Sequence, residues 1–133
     1  IKLRTGEILG AHSGLINYTV GQRKGLGIAY KEPLYVLELD KEKNAVIVGT
    51  EQELYADELY AKDLNFLLNI DLTQQIEIKA KIRYRAQEAD AILHPVENGI
   101  AKVKFKEPQR AITPGQSVVF YIDDIVLGGG KII

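Results

Sequence analysis

The sequence predicts a mainly β protein, with a small β-rich domain followed by a small antiparallel β-barrel. Apolar residues alternate with period two along most of the chain, and helical periodicity is scarce. Short strand patterns separated by turn signals fill the second half, which is typical of a small closed barrel. The 133 residues suffice for one ordinary domain or two small ones. We therefore expect a β-rich domain at residues 1–70, a linker at about residues 67–74 and a barrel at residues 75–133.

In the first domain, the clearest pattern is a β-hairpin. Two apolar runs, residues 34–39 and 45–48, flank a charged loop that ends in Asn44. The acidic stretch at residues 51–63 then predicts a short helical turn that runs into a strand. Upstream, residues 12–20 fit either a strand or a short helix, and a basic loop punctuated by glycines follows them.

The barrel is predicted from strand patterns and from the turns between them. Residues 97–99, 108–115 and 123–124 mark three turns, because asparagine, aspartate, proline and glycine favour reversals of the chain. The glycines at residues 128–130 have no helix after them, so we interpret them as a close backbone approach or a bulge in a terminal strand. The predicted strands are residues 76–85, 91–95, 99–105, 117–122 and 125–132.

Composition excludes several classes of chemistry. The chain has no cysteine, so it contains no disulfide, thiolate zinc site or thiol nucleophile. His12 and His94 are its only histidines, and we expect neither a metal site nor a complete catalytic site. No apolar run is long enough to cross a bilayer, so we expect a cytoplasmic protein without a membrane partner. Because the chain begins with Ile1 and not with methionine, we interpret it as a piece of a longer protein.

The net charge of −1 hides an uneven distribution of charge. In the first predicted barrel strand, cations alternate with apolar residues, and a later strand repeats the pattern, which predicts two basic strand faces. Many of the acidic residues lie at residues 51–63 instead. Two interpretations stay open, a nucleic-acid interface and an ordinary solvated strand surface. The cations are Lys79, Lys81, Arg83 and Arg85 in the first strand and Lys102, Lys104 and Lys106 in the later one.

Further side chains are candidates for contacts with nucleic acid. Gln22, Arg23 and Lys24 lie in the glycine-punctuated loop and carry groups that bind phosphates or bases. Tyr84 and Tyr18 are suited to stacking on a base, although tyrosine on the apolar face of a strand is more often part of a core. These candidates add to the charge pattern without deciding between its two interpretations.

Five blocks along the chain resemble the bacterial tRNA-specific 2-thiouridylases. The blocks follow that family's order and spacing from about His12 to Ile132, which is nearly the whole chain. The first two are similar to the family's central domain, and the other three are similar to its carboxy-terminal β-barrel. The blocks are residues 10–15, 18–27, 81–85, 111–116 and 127–132.

The resemblance implies an enzyme that is larger than this chain. Such enzymes have an amino-terminal ATP-pyrophosphatase domain, which uses ATP with Mg²⁺ to adenylate the 2-oxygen of the wobble uridine of tRNA. A cysteine persulfide, charged by a sulfur-relay protein, then delivers sulfur to give 2-thiouridine. The catalytic cysteines and the nucleotide-binding loop lie upstream of the matched segment. The chain is thus expected to bind tRNA and to carry no catalytic residue and no cofactor of its own.

The resemblance also implies roles for particular residues. Arg83, Tyr84 and Gln116 match family positions that are expected to touch tRNA. Arg85 and Lys81 are added to them from the charge pattern. Together these residues form the tRNA-binding surface that the sequence predicts for the barrel.

For the loop in the central domain, the resemblance leaves two roles open. Gln22, Arg23 and Lys24 either contact RNA or dock onto the catalytic domain. Ala11, nearby, departs from the acidic residue of the family pattern. For the chain as a whole, the alternative is a protein-docking β-barrel module without direct RNA contact, because similar small barrels serve other functions.

Overall fold

Nine strands and two short 3-10 turns make up the regular structure in the computed structural model, which describes residues 1–133. The chain is mainly β, as predicted, and divides into two compact units, Ile1–Tyr55 and Ala56–Ile133. None of its helical segments has the length and apolar character needed to span a membrane. The strands are β1 (Lys2–Leu3), β2 (Tyr35–Asp40), β3 (Ala45–Gly49), β4 (Tyr55–Phe66), β5 (Ile76–Lys81), β6 (Ala89–Leu93), β7 (Ala101–Arg110), β8 (Ser117–Ile122) and β9 (Ile125–Ile132), and the 3-10 turns are Leu15–Asn17 and Glu51–Leu54.

A three-stranded sheet in the order β1-β3-β2 organises the first unit. β2 and β3 form the predicted hairpin, and Asn44 in its loop has a φ of 50°, a left-handed conformation in which asparagine is enriched. Every residue of β3, the central strand, is buried. Of the two interpretations of residues 12–20, strand or short helix, the structure shows the helical one as the 3-10 turn Leu15–Asn17. The next residue, Tyr18, is buried in the core of the unit.

Six antiparallel strands close the predicted barrel in the order β4-β7-β6-β5-β8-β9. Five of them correspond to the strands expected after residue 75, and β8 and β9 have the predicted bounds. β4 is the additional strand. It follows the 3-10 turn Glu51–Leu54, as the acidic stretch predicts, and it buries Leu59 and Ala61 in the core of the barrel.

The predicted domain boundary near residue 70 differs from the division between Tyr55 and Ala56. The reason is β4, whose pairing with β9 closes the barrel, so that residues 56–66 belong to the second unit. The predicted linker at residues 67–74 contains no strand or helix, but it connects β4 to β5 inside the barrel unit.

The first basic strand is shorter than predicted. β5 ends at Lys81, and residues 82–88 form bends and a turn before β6 begins. The N–H of Ala86 donates a hydrogen bond to the carbonyl of Arg83 at 3.0 Å, which reverses the direction of the chain. Arg83 and Arg85 therefore lie in a loop and not on a strand face.

The glycines at residues 128–130 lie in β9, between β4 and β8. A Cβ atom on Gly128 would lie 2.2 Å from the carbonyl oxygen of Asn65, and one on Gly129 would lie 2.4 Å from that of Val118. The neighbouring backbones thus approach β9 more closely than any side chain permits. This geometry confirms the close backbone approach that the sequence predicts.

Candidate nucleic-acid interface

Two loops come together at one end of the barrel. β5 ends beside the start of β8, where Lys81 lies opposite Val119. Because β5, β6 and β7 are antiparallel neighbours, the β5–β6 loop and the β7–β8 loop lie at this same end of the barrel. The guanidinium of Arg83 in the first loop donates a hydrogen bond to the carbonyl of Arg110, the last residue of β7. This contact ties the β5–β6 loop to the end of β7. We use the term loop end for the surface formed by Arg83, Tyr84, Arg85 and Gln116.

Tyr84 projects from the loop end into solvent, with a relative exposure of 92%. The Nζ atom of Lys81 lies 5.8 Å from the centroid of its ring, within the range of a cation–π contact. The prediction that Tyr84 lies on the apolar face of a strand is wrong, because β5 ends before it. Tyr18, the other candidate for base stacking, is a core residue. Of the two tyrosines, Tyr84 is the one whose ring is exposed, as base stacking requires.

Gln116 lies in the β7–β8 loop, which is anchored to the end of β9. Its carbonyl accepts a hydrogen bond from the N–H of Ile132 at 2.8 Å, and the N–H of Gly115 donates to the carbonyl of Ile132 at 2.7 Å. The hydroxyl of Thr113 donates to the carbonyl of Ala111 at 2.8 Å. These bonds hold the backbone of the loop, and the side chain of Gln116 is exposed. The loop end therefore presents Gln116 from a fixed position.

The prediction that four cations share one strand face is wrong in part. Lys79 and Lys81 lie on the outer side of β5, and the intervening Ala80 is buried, as the alternation predicts. Arg83 and Arg85 are absent from that face because the strand has already ended. The alternation continues through Arg85 in the sequence, so it gave no signal of this end. No sequence signal indicated the contact between Arg83 and the carbonyl of Arg110.

The second basic face lies beside acidic residues of β4. The Nζ atom of Lys104 lies 2.6 Å from Oδ2 of Asp57, and that of Lys102 lies 3.5 Å from Oε2 of Glu58. β4 and β7 are neighbours in the barrel, so the acidic stretch, which the sequence placed apart from the basic faces, borders one of them. The predicted alternation is confirmed, because Val103 and Phe105 are buried while Lys102, Lys104 and Lys106 face outward. Two of these three cations are paired with carboxylates, so the face is less basic than the sequence predicts.

The contact between Lys104 and Asp57 shifts the pKa of both groups. The hydrogen bond from Lys104 holds the pKa of Asp57 below its usual 3.8, and the same bond raises the pKa of Lys104 above its usual 10.5. The lowered pKa of Asp57 contributes stability at pH values above its unfolded pKa, and that stability is lost as the pH falls through the folded pKa. The raised pKa of Lys104 contributes stability below its unfolded pKa, which is lost as the pH rises through the folded one. The contribution is small because both side chains are nearly half exposed.

Asp57→Asn is therefore expected to lower the stability of the chain slightly at neutral pH, where the carboxylate is charged. The difference from the wild type should shrink as the pH falls through the pKa of Asp57, since the wild type then loses the same charge. Urea unfolding midpoints measured across this pH range test the prediction. Asp124→Asn, in the exposed β8–β9 turn, is the control. A loss of stability that does not change with pH would contradict the assignment.

Gln22 holds the glycine-punctuated loop of the first unit in shape. Its Oε1 atom accepts a hydrogen bond from the N–H of Thr19 at 3.0 Å, and its Nε2 atom donates to the carbonyl of Lys24 at 2.8 Å. The amide of Gln22 is thus engaged within the loop. The side chains of Arg23 and Lys24 are exposed, and their contact with RNA stays a prediction.

His12 connects two segments of the first unit. Its Nδ1 atom accepts a hydrogen bond from the N–H of Gly14 at 3.0 Å, which leaves the proton on Nε2, and Nε2 donates to the carbonyl of Asn44 at 2.8 Å. The ring meets that of Tyr18 edge-on at 6.1 Å. Both ring nitrogens are therefore used in holding the structure. No three histidine, aspartate or glutamate side chains of the chain gather where they could hold a metal ion.

Comparison with known proteins divides the chain at nearly the same place as the structure does. The family profile described as "Aminomethyltransferase beta-barrel domain" matches residues 56–132, and the one described as "tRNA methyl transferase PRC-barrel domain" matches residues 1–50. Each match covers most of one structural unit. The boundary between the two matches lies close to Tyr55 and Ala56, where the structure also divides.

Curated relatives match the chain across both units. The tRNA-specific 2-thiouridylase MnmA of Acetivibrio thermocellus is 58% identical over 127 residues, which are 96% of this chain and 35% of that protein. The tRNA-specific 2-thiouridylases MnmA 2 of Caldanaerobacter subterraneus and MnmA of Moorella thermoacetica are 55% and 54% identical over the same share of this chain. The matched residues make up 35% of the Caldanaerobacter subterraneus protein and 36% of the Moorella thermoacetica protein. The chain thus spans about a third of the length of these relatives.

Proposed function

The chain belongs to the tRNA-specific 2-thiouridylase family, and from this premise we propose that it is the tRNA-binding part of such an enzyme. The observation that carries the proposal is the loop end. There, an almost fully exposed tyrosine, Tyr84, lies beside Lys81 and between two arginines on a loop that is tied to the end of β7. An exposed ring with adjacent cations is the combination that binds an unpaired base together with its phosphates.

The residues of the loop end have different roles in this proposal. Tyr84 stacks on an unpaired base of the tRNA, and the exposed Arg85 contacts a phosphate. Gln116 supplies an amide that both donates and accepts hydrogen bonds, which suits the edge of a base or a ribose hydroxyl. Arg83 is a positioning residue, because its guanidinium holds the β5–β6 loop against the end of β7. Binding therefore requires little rearrangement of either loop.

In the whole enzyme, the reaction would be the formation of 2-thiouridine at the wobble position of tRNA. An amino-terminal ATP-pyrophosphatase domain would adenylate the uridine with ATP and Mg²⁺, and a persulfide charged by a sulfur-relay protein would deliver the sulfur. This chain has no cysteine to carry a persulfide, so that step belongs to another part of the enzyme. The contribution of this chain is to hold the tRNA, through the loop end and through Arg23 and Lys24 of the first unit.

The salt dependence of tRNA binding tests this proposal. We expect the logarithm of the association constant to fall linearly with the logarithm of the salt concentration. The slope should be about −2 to −3.6 if three or four phosphates are contacted at roughly −0.7 to −0.9 each. Fluorescence anisotropy of labelled tRNA between about 0.05 and 0.2 M salt measures the slope. An absence of binding at low salt, or binding that salt does not weaken, would contradict the proposal.

A specific observation favours the alternative function, a protein-docking module. Ile16 has a relative exposure of 94% and lies on the 3-10 turn Leu15–Asn17, which is braced by hydrogen bonds from Asn17 to Ser13 at 3.0 and 3.2 Å. An aliphatic side chain neither stacks on a base nor binds a phosphate, so it suits an apolar pocket of a protein. This alternative predicts a complex with the catalytic domain of the enzyme and no salt-dependent binding of tRNA.

A further inference from the structure

A concave surface lies on the wall of the barrel, away from the loop end. It is a groove of about 500 Å³ between β4 and the hairpin turn that joins β6 to β7. We call it the hairpin slot. Its apolar walls are Tyr60, Pro95 and Ile100, and its polar lining residues are His94, Glu97, Asn98 and Lys102.

The apolar walls of the hairpin slot are open to solvent. Tyr60 has a relative exposure of 46% and Ile100 one of 40%, and both project outward from the barrel. Both side chains line the groove together with Pro95, so the groove offers exposed apolar surface on which a flat ring can rest. The volume falls within the range of about 300–1,000 Å³ that is typical of small-ligand sites.

The hairpin slot is already built without a ligand. Asn98 and Gly99 have φ values of 54° and 73°, the left-handed pair that makes a tight two-residue turn. Glu97 and Ile100 exchange two backbone hydrogen bonds across it, at 3.1 and 2.9 Å. On the opposite wall, the carbonyl of Tyr60 accepts a hydrogen bond from the N–H of Ile133 at 2.9 Å, which fixes β4. A ligand therefore meets fixed walls and loses little affinity to their ordering.

The polar groups of the slot add donors around the apolar walls. The Nε2 atom of Gln75 lies 3.4 Å from Nδ1 of His94, so that Nε2 of the histidine ring carries the proton and is a donor. Lys102 is bound only loosely to Glu58, at 3.5 Å, and both side chains are more than a third exposed. Its ammonium group can therefore exchange this partner for a phosphate. An occupant that carries acceptors matches both donors, and the carboxylate of Glu97 in the same lining accepts a hydrogen bond from a donor such as the amino group of a base.

The geometry points to a nucleotide-binding site in the hairpin slot. An unpaired nucleobase stacks on Tyr60 against Ile100, His94 donates to an acceptor on its edge, and Lys102 binds the attached phosphate. Either the tRNA or a free mononucleotide can supply this chemistry. Binding of a tRNA base in the hairpin slot rests on the proposed function. The hairpin slot and the loop end lie at opposite ends of β6. Its five residues, at roughly 3.3 Å each, separate the two by roughly 17 Å, so one RNA molecule can reach both.

Substitution of Tyr60 in the full chain tests the slot with labelled tRNA and, separately, with AMP and UMP as probes. Tyr60→Ala should weaken tRNA binding by about tenfold, as expected for the loss of one stacked base, whereas Tyr60→Phe keeps the ring and should stay within about twofold. Tyr55→Ala is the matched control, because Tyr55 is a tyrosine of the same strand with a relative exposure of 45%. Circular dichroism confirms that each variant is folded.

The outcomes separate the slot from the proposed function. If tRNA binding is unchanged in Tyr60→Ala, and AMP and UMP shift no ring signal of Tyr60 in NMR spectra, the slot is not a nucleotide site, although the loop end still binds tRNA. If the mononucleotides shift that signal while Tyr60→Ala leaves tRNA binding intact, the slot is supported with a free nucleotide as its ligand. If the wild type binds no tRNA, the proposed function fails, and the response of Tyr60 to the mononucleotides alone decides for or against the slot.

Discussion

A variant that combines Tyr84→Ala with Arg85→Glu is expected to bind tRNA about 100-fold more weakly than the wild type at low salt. The loss of one stacked base costs about 1–3 kcal/mol, and the charge reversal replaces an attraction for phosphate by a repulsion. Both side chains are exposed, so the variant should keep its fold. Anisotropy of labelled tRNA measures the affinity, and the salt slope should become shallower by about one phosphate contact.

A matched control for this variant combines Tyr55→Ala with Lys43→Glu. It removes one exposed tyrosine and reverses one exposed cation, neither of which belongs to the loop end, so it changes composition and net charge similarly. Its affinity for tRNA should stay within about threefold of the wild type, since the proposed stacking ring and phosphate contact of the loop end are both left in place. If the two double variants lose affinity equally, the loop end is not the binding surface. Arg83 is left intact because its loss would also release the β5–β6 loop.

The second large effect concerns stability. Gly128→Ala is expected to destabilise the barrel by about 3 kcal/mol or more, because the new Cβ atom would lie 2.2 Å from the carbonyl oxygen of Asn65 and 2.8 Å from Cα of Phe66. Both are backbone atoms, so β4 would have to move away from β9 and the closure of the barrel would weaken. A loss of this size is a large share of the roughly 5–15 kcal/mol that stabilises an ordinary domain.

Urea unfolding followed by circular dichroism measures this loss, with Gly115→Ala as the control. Gly115 has a φ of 90°, which disfavours alanine, but a Cβ atom there would meet nothing within 4 Å. The control should therefore lose about 1–2 kcal/mol, the cost of the backbone conformation alone. Equal losses in the two variants would show that contact with β4 is not what requires a glycine at residue 128.

The strands of the barrel were predictable where alternation decides burial. β8 and β9 have the predicted bounds, since apolar residues alternate up to a turn marked by Asp123 and Asp124. β4 was harder to place, because its outward side is acidic and its inward residues Leu59 and Ala61 are few. The end of β5 at Lys81 was missed because the alternating pattern continues beyond the point where the chain turns.

The candidate site was predictable as a set of residues but not as an arrangement. Motif and charge patterns identified Arg83, Tyr84, Arg85 and Gln116, which the structure brings to one end of the barrel. The sequence placed the first three on a strand, and the structure places them on a loop, where Tyr84 is exposed. Gln22 was identified by the same kind of pattern, but its side-chain amide is hydrogen-bonded to the backbone of Thr19 and Lys24 in its own loop.

The sequence by itself determined the mainly β class, the hairpin of the first unit, the closed barrel of the second and the family of the chain. These depend on local alternation, on turn residues and on collinear motifs, all of which can be recognised along the chain. Tertiary structure alone decided which charges meet. Lys104 lies beside Asp57 because β4 and β7 are neighbours in the barrel, and the loop of Tyr84 lies against the end of β7 because Arg83 reaches the carbonyl of Arg110. Contacts between residues far apart in sequence depend on strand order, and strand order is set only when the barrel closes.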